Sequence, residues 1–162
     1  MRAALVTAMR DEGPYLLEWV AYHRLIGFTD ILIYTNECTD GTDALAEALA
    51  ARGLIRHMPN PVPPDTRPHR EALARGLAEV AGADWAMALD ADEFLNISVG
   101  GGGLSDLIGA APGADLLLLN WRHLGDPEAA RWAPGLVTER FLCASRPRDP
   151  VNSAVKTLFA RP

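Results

Sequence analysis

The segment DWAMALDADEFL, residues 84–95, decides the fold class of this chain. Its first half is an apolar run with the length of a buried β-strand, and its second half opens with three carboxylates in four residues. Phe94 and Leu95 follow at once, so the acidic group is a short interruption between two apolar stretches. We therefore predict a buried strand over residues 85–89 that ends in an acidic turn.

Strand-like and helix-like stretches alternate upstream of this segment. Residues 3–9 form a short apolar run and residues 30–35 are rich in isoleucine, so both are predicted to be strands. Apolar residues at helical spacing predict a helix over residues 14–26. Trp19 and His23 lie on its apolar face, and we interpret both as core residues.

The remaining elements complete a single α/β domain over residues 1–162. They are helices over 42–52 and 70–81, a short strand over 54–58, a stiff loop with five prolines from Pro59 to Pro68, and a buried strand over 115–121. Strands that alternate with helices of this length indicate βαβ units. The sequence therefore predicts a mostly parallel central sheet with helices on both faces.

Polar segments follow three of these strands, where ligands bind in open α/β sheets. They contain Arg10, Asp11 and Glu12 after the first strand, Asn36 and Asp40 after the second, and Asp90 and Asp92 after the strand at 85–89. Each also has a structural interpretation. The first suits a helix N-terminus, the second a turn with a helix cap, and the third a solvated acidic turn.

Asp90 and Asp92 form an Asp-x-Asp pair, which is common by chance, so its place at a strand end carries the interpretation. Crowded carboxylates repel each other, and a bound divalent cation would relieve that repulsion. Oxygen ligands suit Mg²⁺ or Mn²⁺, which retain water and bind substrate phosphates. We therefore predict a metal site here rather than a solvated turn.

Charge and hydropathy exclude other classes of protein. A net charge of -6 and an isoelectric point near 5.1 argue against a nucleic-acid partner, whose phosphates require basic residues. The apolar run at the N-terminus is too short for a signal peptide or a membrane span. We expect no transmembrane segment and a cytoplasmic location.

Several blocks together resemble the family-2-like glycosyltransferases, in particular the group with a Glu-Trp-x-x-x-His stretch on its first helix. The blocks are Arg10-Asp11-Glu12, EWVAYHRLIGF (18–28), ILIYTNECTDGT (31–42), LDADEFL (89–95), NWRHLG (120–125), ERF (139–141) and VKTLFARP (155–162). The combination spans nearly the whole chain and is more specific than any single block.

This resemblance implies a glycosyltransferase-A fold and transfer of a sugar from a nucleotide diphosphate donor, such as a UDP- or GDP-sugar, to a carbohydrate or glycoconjugate acceptor. Asp90 and Asp92 correspond to the family's DXD motif, which binds Mn²⁺ or Mg²⁺ and through it the diphosphate. The segments at Arg10–Glu12 and Asn36–Asp40 would line the pocket for the base and ribose. From their position at the end of the proline-rich loop, His69 and Arg70 are candidates to reach the diphosphate, and a helix start is the alternative interpretation.

Family-2-like enzymes generally invert the anomeric centre, so the resemblance also implies a carboxylate base. Glu139 and Asp126 are the candidates in the acceptor half, with Glu139 preferred because it lies in a family-like block; each could instead be a surface carboxylate. Glu93 is a further candidate, with a structural role as the alternative. Family members normally continue beyond VKTLFARP, so we expect a fragment or a short form.

Two other functions remain open on the sequence. One is a catalytically incomplete module that binds a nucleotide-sugar or another protein. The other is a metal-dependent nucleotidyltransferase, although the chain lacks a glycine- and lysine-rich phosphate loop near the first strand.

Overall fold

The computed structural model describes residues 1–61, 67–125, 131 and 133–161. In chain order its elements are β1 (Ala3–Met9), α1 (Gly13–Ile26), β2 (Asp30–Thr35), α2 (Thr42–Ala51), β3 (Arg56–Pro59), α3 (Pro68–Glu79), β4 (Trp85–Ala88), α4 (Leu104–Gly109), β5 (Leu116–Asn120), β6 (Leu124–Gly125), α5 (Val137–Arg140), β7 (Cys143–Ala144) and β8 (Val155–Ala160). The strands predicted at 3–9 and 30–35 are confirmed to the residue. The centre of the predicted proline-rich loop, residues 62–66, lies outside the described residues.

Six strands form one sheet in the order β3-β2-β1-β4-β8-β5. β1 pairs in parallel with β2 and with β4, and β2 pairs in parallel with β3. β8 is antiparallel to both of its neighbours, β4 and β5. The predicted mostly parallel sheet is therefore confirmed, with one antiparallel strand inserted near its edge.

The sheet has a hydrophobic core on each face. Alternate residues of β1 point to opposite faces, as the pleat of a strand requires. Leu5 packs with Trp19 of α1 and Ala46 of α2 on one face, whereas Val6 packs with Ala72 of α3 on the other. Helices thus cover both faces, and their connections bring the carboxyl ends of β1, β2 and β4 to one edge.

Gly76 allows α3 to lie unusually close to the sheet. A Cβ atom at this position would overlap the side chain of Val6 and would lie 2.9 Å from Cε2 of Tyr34. Real Cβ contacts do not come this close, so no larger residue fits without moving the helix or the strands. Glycine costs about 1 kcal/mol in a helix relative to alanine, and the close packing of α3 explains its presence here.

Buried Asn152 holds the later part of the chain together. It lies in a short 3-10 helix, Pro150–Ser153, just before β8. Its Oδ1 accepts hydrogen bonds from the His123 backbone N–H at 3.0 Å and the Ser145 hydroxyl at 2.9 Å, and its Nδ2 donates to the Arg146 carbonyl at 2.8 Å. This one side-chain amide therefore links the residue before β6 to the two residues after β7.

Within the described part of the chain, no helix is long and apolar enough to cross a membrane.

Candidate functional site

The strand order places a crevice between β1 and β4. In the sheet, β2 and β3 lie on one side of β1, and β4 lies on the other side of β1. This reversal is a topological switch point, where open α/β sheets bind ligands beyond the carboxyl ends of the strands. Glu12 follows β1 and Asp90 follows β4, so the predicted polar segments flank this crevice.

Carboxylates from both sides of the crevice interact electrostatically. Glu12 is half-buried, and partial burial together with the charges of Asp92, Asp40 and Asp11 raises its pKa above the ordinary value. Asp92 itself is exposed. The edge of the sheet therefore concentrates negative charge at the switch point, an arrangement that favours a cation between β1 and β4.

Asp90 lies between two basic side chains. Its Oδ2 accepts a hydrogen bond from Lys156 Nζ at 2.7 Å. Its Oδ1 lies 2.9 Å from His69 Nε2, but this buried oxygen forms no hydrogen bond with the described residues. Both carboxylate oxygens of Asp90 are therefore in contact with the side chain of His69 or Lys156.

Glu93 closes the turn that carries the aspartate pair. Its Oε2 accepts hydrogen bonds from the backbone N–H of Asp90 at 2.8 Å and from Lys156 Nζ at 2.8 Å. Burial alone would lower the pKa of Lys156, but its hydrogen bonds to Asp90 and Glu93 outweigh burial and leave the pKa raised. The structure thus gives Glu93 the structural role that the sequence left open.

Side chains of α1 anchor the segment that follows the aspartate pair. Trp19 Nε1 donates to the Glu93 carbonyl at 2.9 Å, and the Tyr22 hydroxyl donates to the Leu95 carbonyl at 3.1 Å. His23 Nδ1 lies 2.8 Å from the Trp19 carbonyl, and its Nε2 lies 3.4 Å from the Leu95 backbone N–H. Trp19 and His23 are fully buried, so the prediction that they are core residues is confirmed. They also fix the backbone beside the site.

The segment after β1 is folded against the loop after β2. Asp11 has a left-handed backbone, with φ of 56°, and its Oδ1 accepts hydrogen bonds from the Thr39 backbone N–H at 2.6 Å and hydroxyl at 3.2 Å. Arg10 is exposed and lies 3.9 Å from Glu37. These contacts join two of the predicted strand-end segments, whereas Arg10 keeps most of its guanidinium accessible.

Asp40 forms the turn before α2 that the sequence offered as an alternative. Its Oδ1 accepts hydrogen bonds from the Thr42 backbone N–H at 2.9 Å and hydroxyl at 2.6 Å, and its Oδ2 accepts from the Gly13 N–H at 2.9 Å. One carboxylate therefore organises the start of both α1 and α2. Asn36 is buried, and its backbone N–H donates to the Met9 carbonyl at 3.2 Å, which extends the β1–β2 pairing by one residue.

Comparison with known proteins gives one sequence relative and one structural neighbour of note. The chain is 34% identical over 100 residues to a glycosyltransferase family 92 protein of Ricinus communis, a match that covers 59% of this chain. It superposes on residues 1–349 of S. aureus TarS, crystallised in complex with UDP, with a TM-score of 0.51 and 16% identity over 83% of this chain. The chain therefore shares its fold with part of TarS. No family model matches the chain.

The likeness is to only part of each of these proteins. The chain spans 17% of the Ricinus protein and 38% of the TarS chain. The predicted fold class is confirmed, and the sequence likeness is to a glycosyltransferase. The finer assignment to family-2-like enzymes stays a hypothesis, because the matched relative is named for family 92.

The candidate bases lie apart from the contacts described so far. Glu139 is exposed on α5, and the hydrogen bonds described for this helix join it to α1 rather than to the aspartate pair. Glu18 of α1 makes that connection, because its carboxylate accepts from the Val137 N–H at 2.6 Å and the Thr138 N–H at 3.0 Å. Asp126 lies outside the described residues.

Two contributors to the site were not predicted to bind metal, donor or acceptor: Lys156 contacts Asp90, and Tyr22 holds the backbone after the aspartate pair. His69, a candidate for the diphosphate together with Arg70, contacts the other oxygen of Asp90. Lys156 is the only lysine in the chain, and this was the one sequence signal that could have singled it out. Arg70, which was predicted to reach the diphosphate, is exposed in the first turn of α3 beside His69.

Proposed function

We propose that this chain is the donor-binding domain of a metal-dependent glycosyltransferase. One observation carries the proposal: carboxylates that follow β1 and β4, Glu12 and Asp92, interact electrostatically at the switch point of a fold that TarS shares, and TarS was crystallised with UDP. The nucleoside would lie over the ends of β1 and β2, near Arg10 and Asn36. Its diphosphate would then point toward Asp90 and Asp92.

The residues at the end of β4 fit a hard divalent cation such as Mn²⁺ or Mg²⁺. Asp90 offers a buried oxygen without a hydrogen bond, and Asp92 offers an exposed carboxylate. Among the described residues no three ligating side chains cluster, so water and donor phosphates would complete the coordination, as is usual for Mg²⁺. When bound, the cation would neutralise charge on the leaving diphosphate.

The protein's own residues would supply orientation and proton transfer. In the transfer step the acceptor hydroxyl oxygen forms a bond to the anomeric carbon, and the bond from that carbon to the diphosphate breaks. A carboxylate takes the hydroxyl proton, and the nucleoside diphosphate leaves with the electron pair. Glu139 and Asp126 are the proposed bases for this inverting reaction, with a carbohydrate or glycoconjugate as acceptor. The β1–β4 crevice would keep the donor aligned.

Turnover by the isolated chain tests this proposal against its two rivals. Release of UDP from UDP-glucose or UDP-N-acetylglucosamine in the presence of Mn²⁺, with the sugar transferred to an added carbohydrate acceptor or to water, would support transferase chemistry. The double variant Asp90→Asn/Asp92→Asn is the inactive control. Donor binding without release over many hours would indicate an incomplete binding module. Release of pyrophosphate from a nucleoside triphosphate would instead identify a nucleotidyltransferase.

A further inference from the structure

Lys156 lies on β8, a strand that is far from β4 in the sequence but pairs directly with it in the sheet. β8 runs antiparallel between β4 and β5, so the beginning of β8 lies at the edge where β4 ends. Lys156 is the second residue of β8, and its ammonium reaches two carboxylates of the aspartate turn, at 2.7 Å from Asp90 and 2.8 Å from Glu93. The topology therefore places a fixed positive charge where the donor diphosphate is proposed to bind.

The ammonium of Lys156 is held in place but is not enclosed. Its side chain is 22% exposed, and Nζ lies 5.7 Å from the centre of the Trp121 ring, a distance compatible with a cation–π contact. An ammonium has three N–H donors, and in the described part of the chain two of them point to Asp90 and Glu93. The charge is therefore positioned by protein contacts while solvent, or an anion, can still approach it.

The carboxylates at this edge of the sheet would repel an incoming diphosphate, and a positive side chain beside them would reduce that repulsion. A nucleoside diphosphate is an anion, and here it would approach Glu12, Asp90, Asp92 and Glu93 in a chain with a net charge of -6. Lys156 contacts two of these carboxylates, whereas Arg10 is exposed and paired only at 3.9 Å with other acidic residues. Lys156 is thus the basic group best fixed to receive a phosphate next to the aspartate pair.

We infer that Lys156 is a phosphate-binding residue, whose ammonium contacts the donor diphosphate and gives the site an affinity for nucleoside diphosphates that does not require a metal ion. The inference rests on the proposed function, because it assumes that the donor binds at the β1–β4 crevice. It differs from the metal proposal in predicting residual binding of the diphosphate when divalent cations are removed. His69 Nε2 lies 2.9 Å from the other oxygen of Asp90, on the same side of the site.

The test compares UDP with UMP by calorimetry on the wild-type chain, Lys156→Met and Lys156→Arg, each in Mn²⁺ and in EDTA. We expect Lys156→Met to weaken UDP binding by about tenfold or more, the range for a lost charge-assisted hydrogen bond, and to change UMP binding much less. Lys156→Arg should retain most of the preference for UDP. Arg52→Met, which removes an exposed positive charge at the C-terminal end of α2 and far from Lys156 in the sequence, is the control for net charge.

The outcomes separate the inference from the proposed function. If the wild-type chain binds UDP only with Mn²⁺, or if Lys156→Met keeps the wild-type preference for UDP over UMP, the inference is overturned while the proposed function stands. Equal weakening of UDP and UMP would show a structural role and would also overturn it. Failure of UDP and GDP to bind the folded wild-type chain overturns both. If Lys156→Met does not fold, Lys156→Gln, which keeps hydrogen-bond donors but no charge, replaces it with the same expectations.

Discussion

Buried His23 should make the stability of this domain fall as the solution is acidified. Burial lowers the pKa of His23 from 6.5 to about 4, although the hydrogen bond to the Trp19 carbonyl acts in the opposite direction. The ring lies among Trp19, Tyr22, Phe28 and Phe94 and is neutral in the folded protein. Below about pH 6.5 the unfolded chain binds a proton that the folded protein excludes, so unfolding becomes more favourable.

The size of this effect follows from the separation of the two pKa values. Stability from this group is fully present above the unfolded pKa of 6.5 and is lost as the pH falls toward about 4. Each unit of separation corresponds to about 1.4 kcal/mol. Between pH 7 and pH 4.5 the free energy of unfolding should therefore decrease by about 2 kcal/mol on account of His23. Protonation would also remove the acceptor for the Leu95 N–H, next to the aspartate pair.

Urea unfolding at several pH values between 7 and 4.5, followed by tryptophan fluorescence, measures this loss. His23→Gln can still donate and accept hydrogen bonds but does not titrate, so its stability should fall by about 2 kcal/mol less than that of the wild type over this range. His57→Gln is the matched control, because His57 is only partly buried although burial also lowers its pKa. Equal losses in the wild type and His23→Gln would refute this explanation.

Two further changes test the fold and the acceptor side. Gly76→Ala should reduce the free energy of unfolding by about 1–3 kcal/mol, because the new methyl group overlaps side chains of β1 and β2. The control is Gly109→Ala, where the space is open and the substitution should be neutral or slightly stabilising. Equal effects of the two substitutions on stability would contradict the close approach of α3 to the sheet. Glu18→Ala should speed amide exchange at Val137 and Thr138, because their N–H groups lose the Glu18 carboxylate. Unchanged exchange there, by mass spectrometry, would argue against this connection.

Short-range patterns predicted most of the secondary structure. β1 is apolar throughout and is bounded by charges, so its limits could be derived from the sequence, and all seven of its residues are buried. Pro14 in the first turn of α1 and the left-handed Gly27 at its end are equally local signals. The limits of β3 and α3, which have weaker apolar patterns, were predicted less well: β3 begins two residues and ends one residue later than predicted, and both ends of α3 lie two residues earlier.

The site was only partly predictable, because its contacts join residues far apart in the sequence. The strand-end rule correctly brought Glu12, Asp90 and Asp92 to one edge. The contact of Lys156 with Asp90 spans 66 residues and depends on β8 entering the sheet antiparallel. The contact of Glu18 with Thr138 spans 120 residues. No periodicity or spacing motif in the sequence indicates either contact, so neither could be predicted before the topology was known.

Calorimetric binding of UDP, and then of GDP, with and without Mn²⁺, tests the central claim most directly. The comparison is between the wild-type chain and Asp92→Ala, with Glu47→Gln, an exposed carboxylate change on α2, as the control. We predict that Mn²⁺ strengthens the binding of one nucleoside diphosphate to the wild type and to Glu47→Gln, and that binding in Mn²⁺ is reduced at least about tenfold in Asp92→Ala. Binding that is unaffected by Asp92→Ala, or no binding to the folded wild-type chain, would contradict a donor site at the aspartate pair.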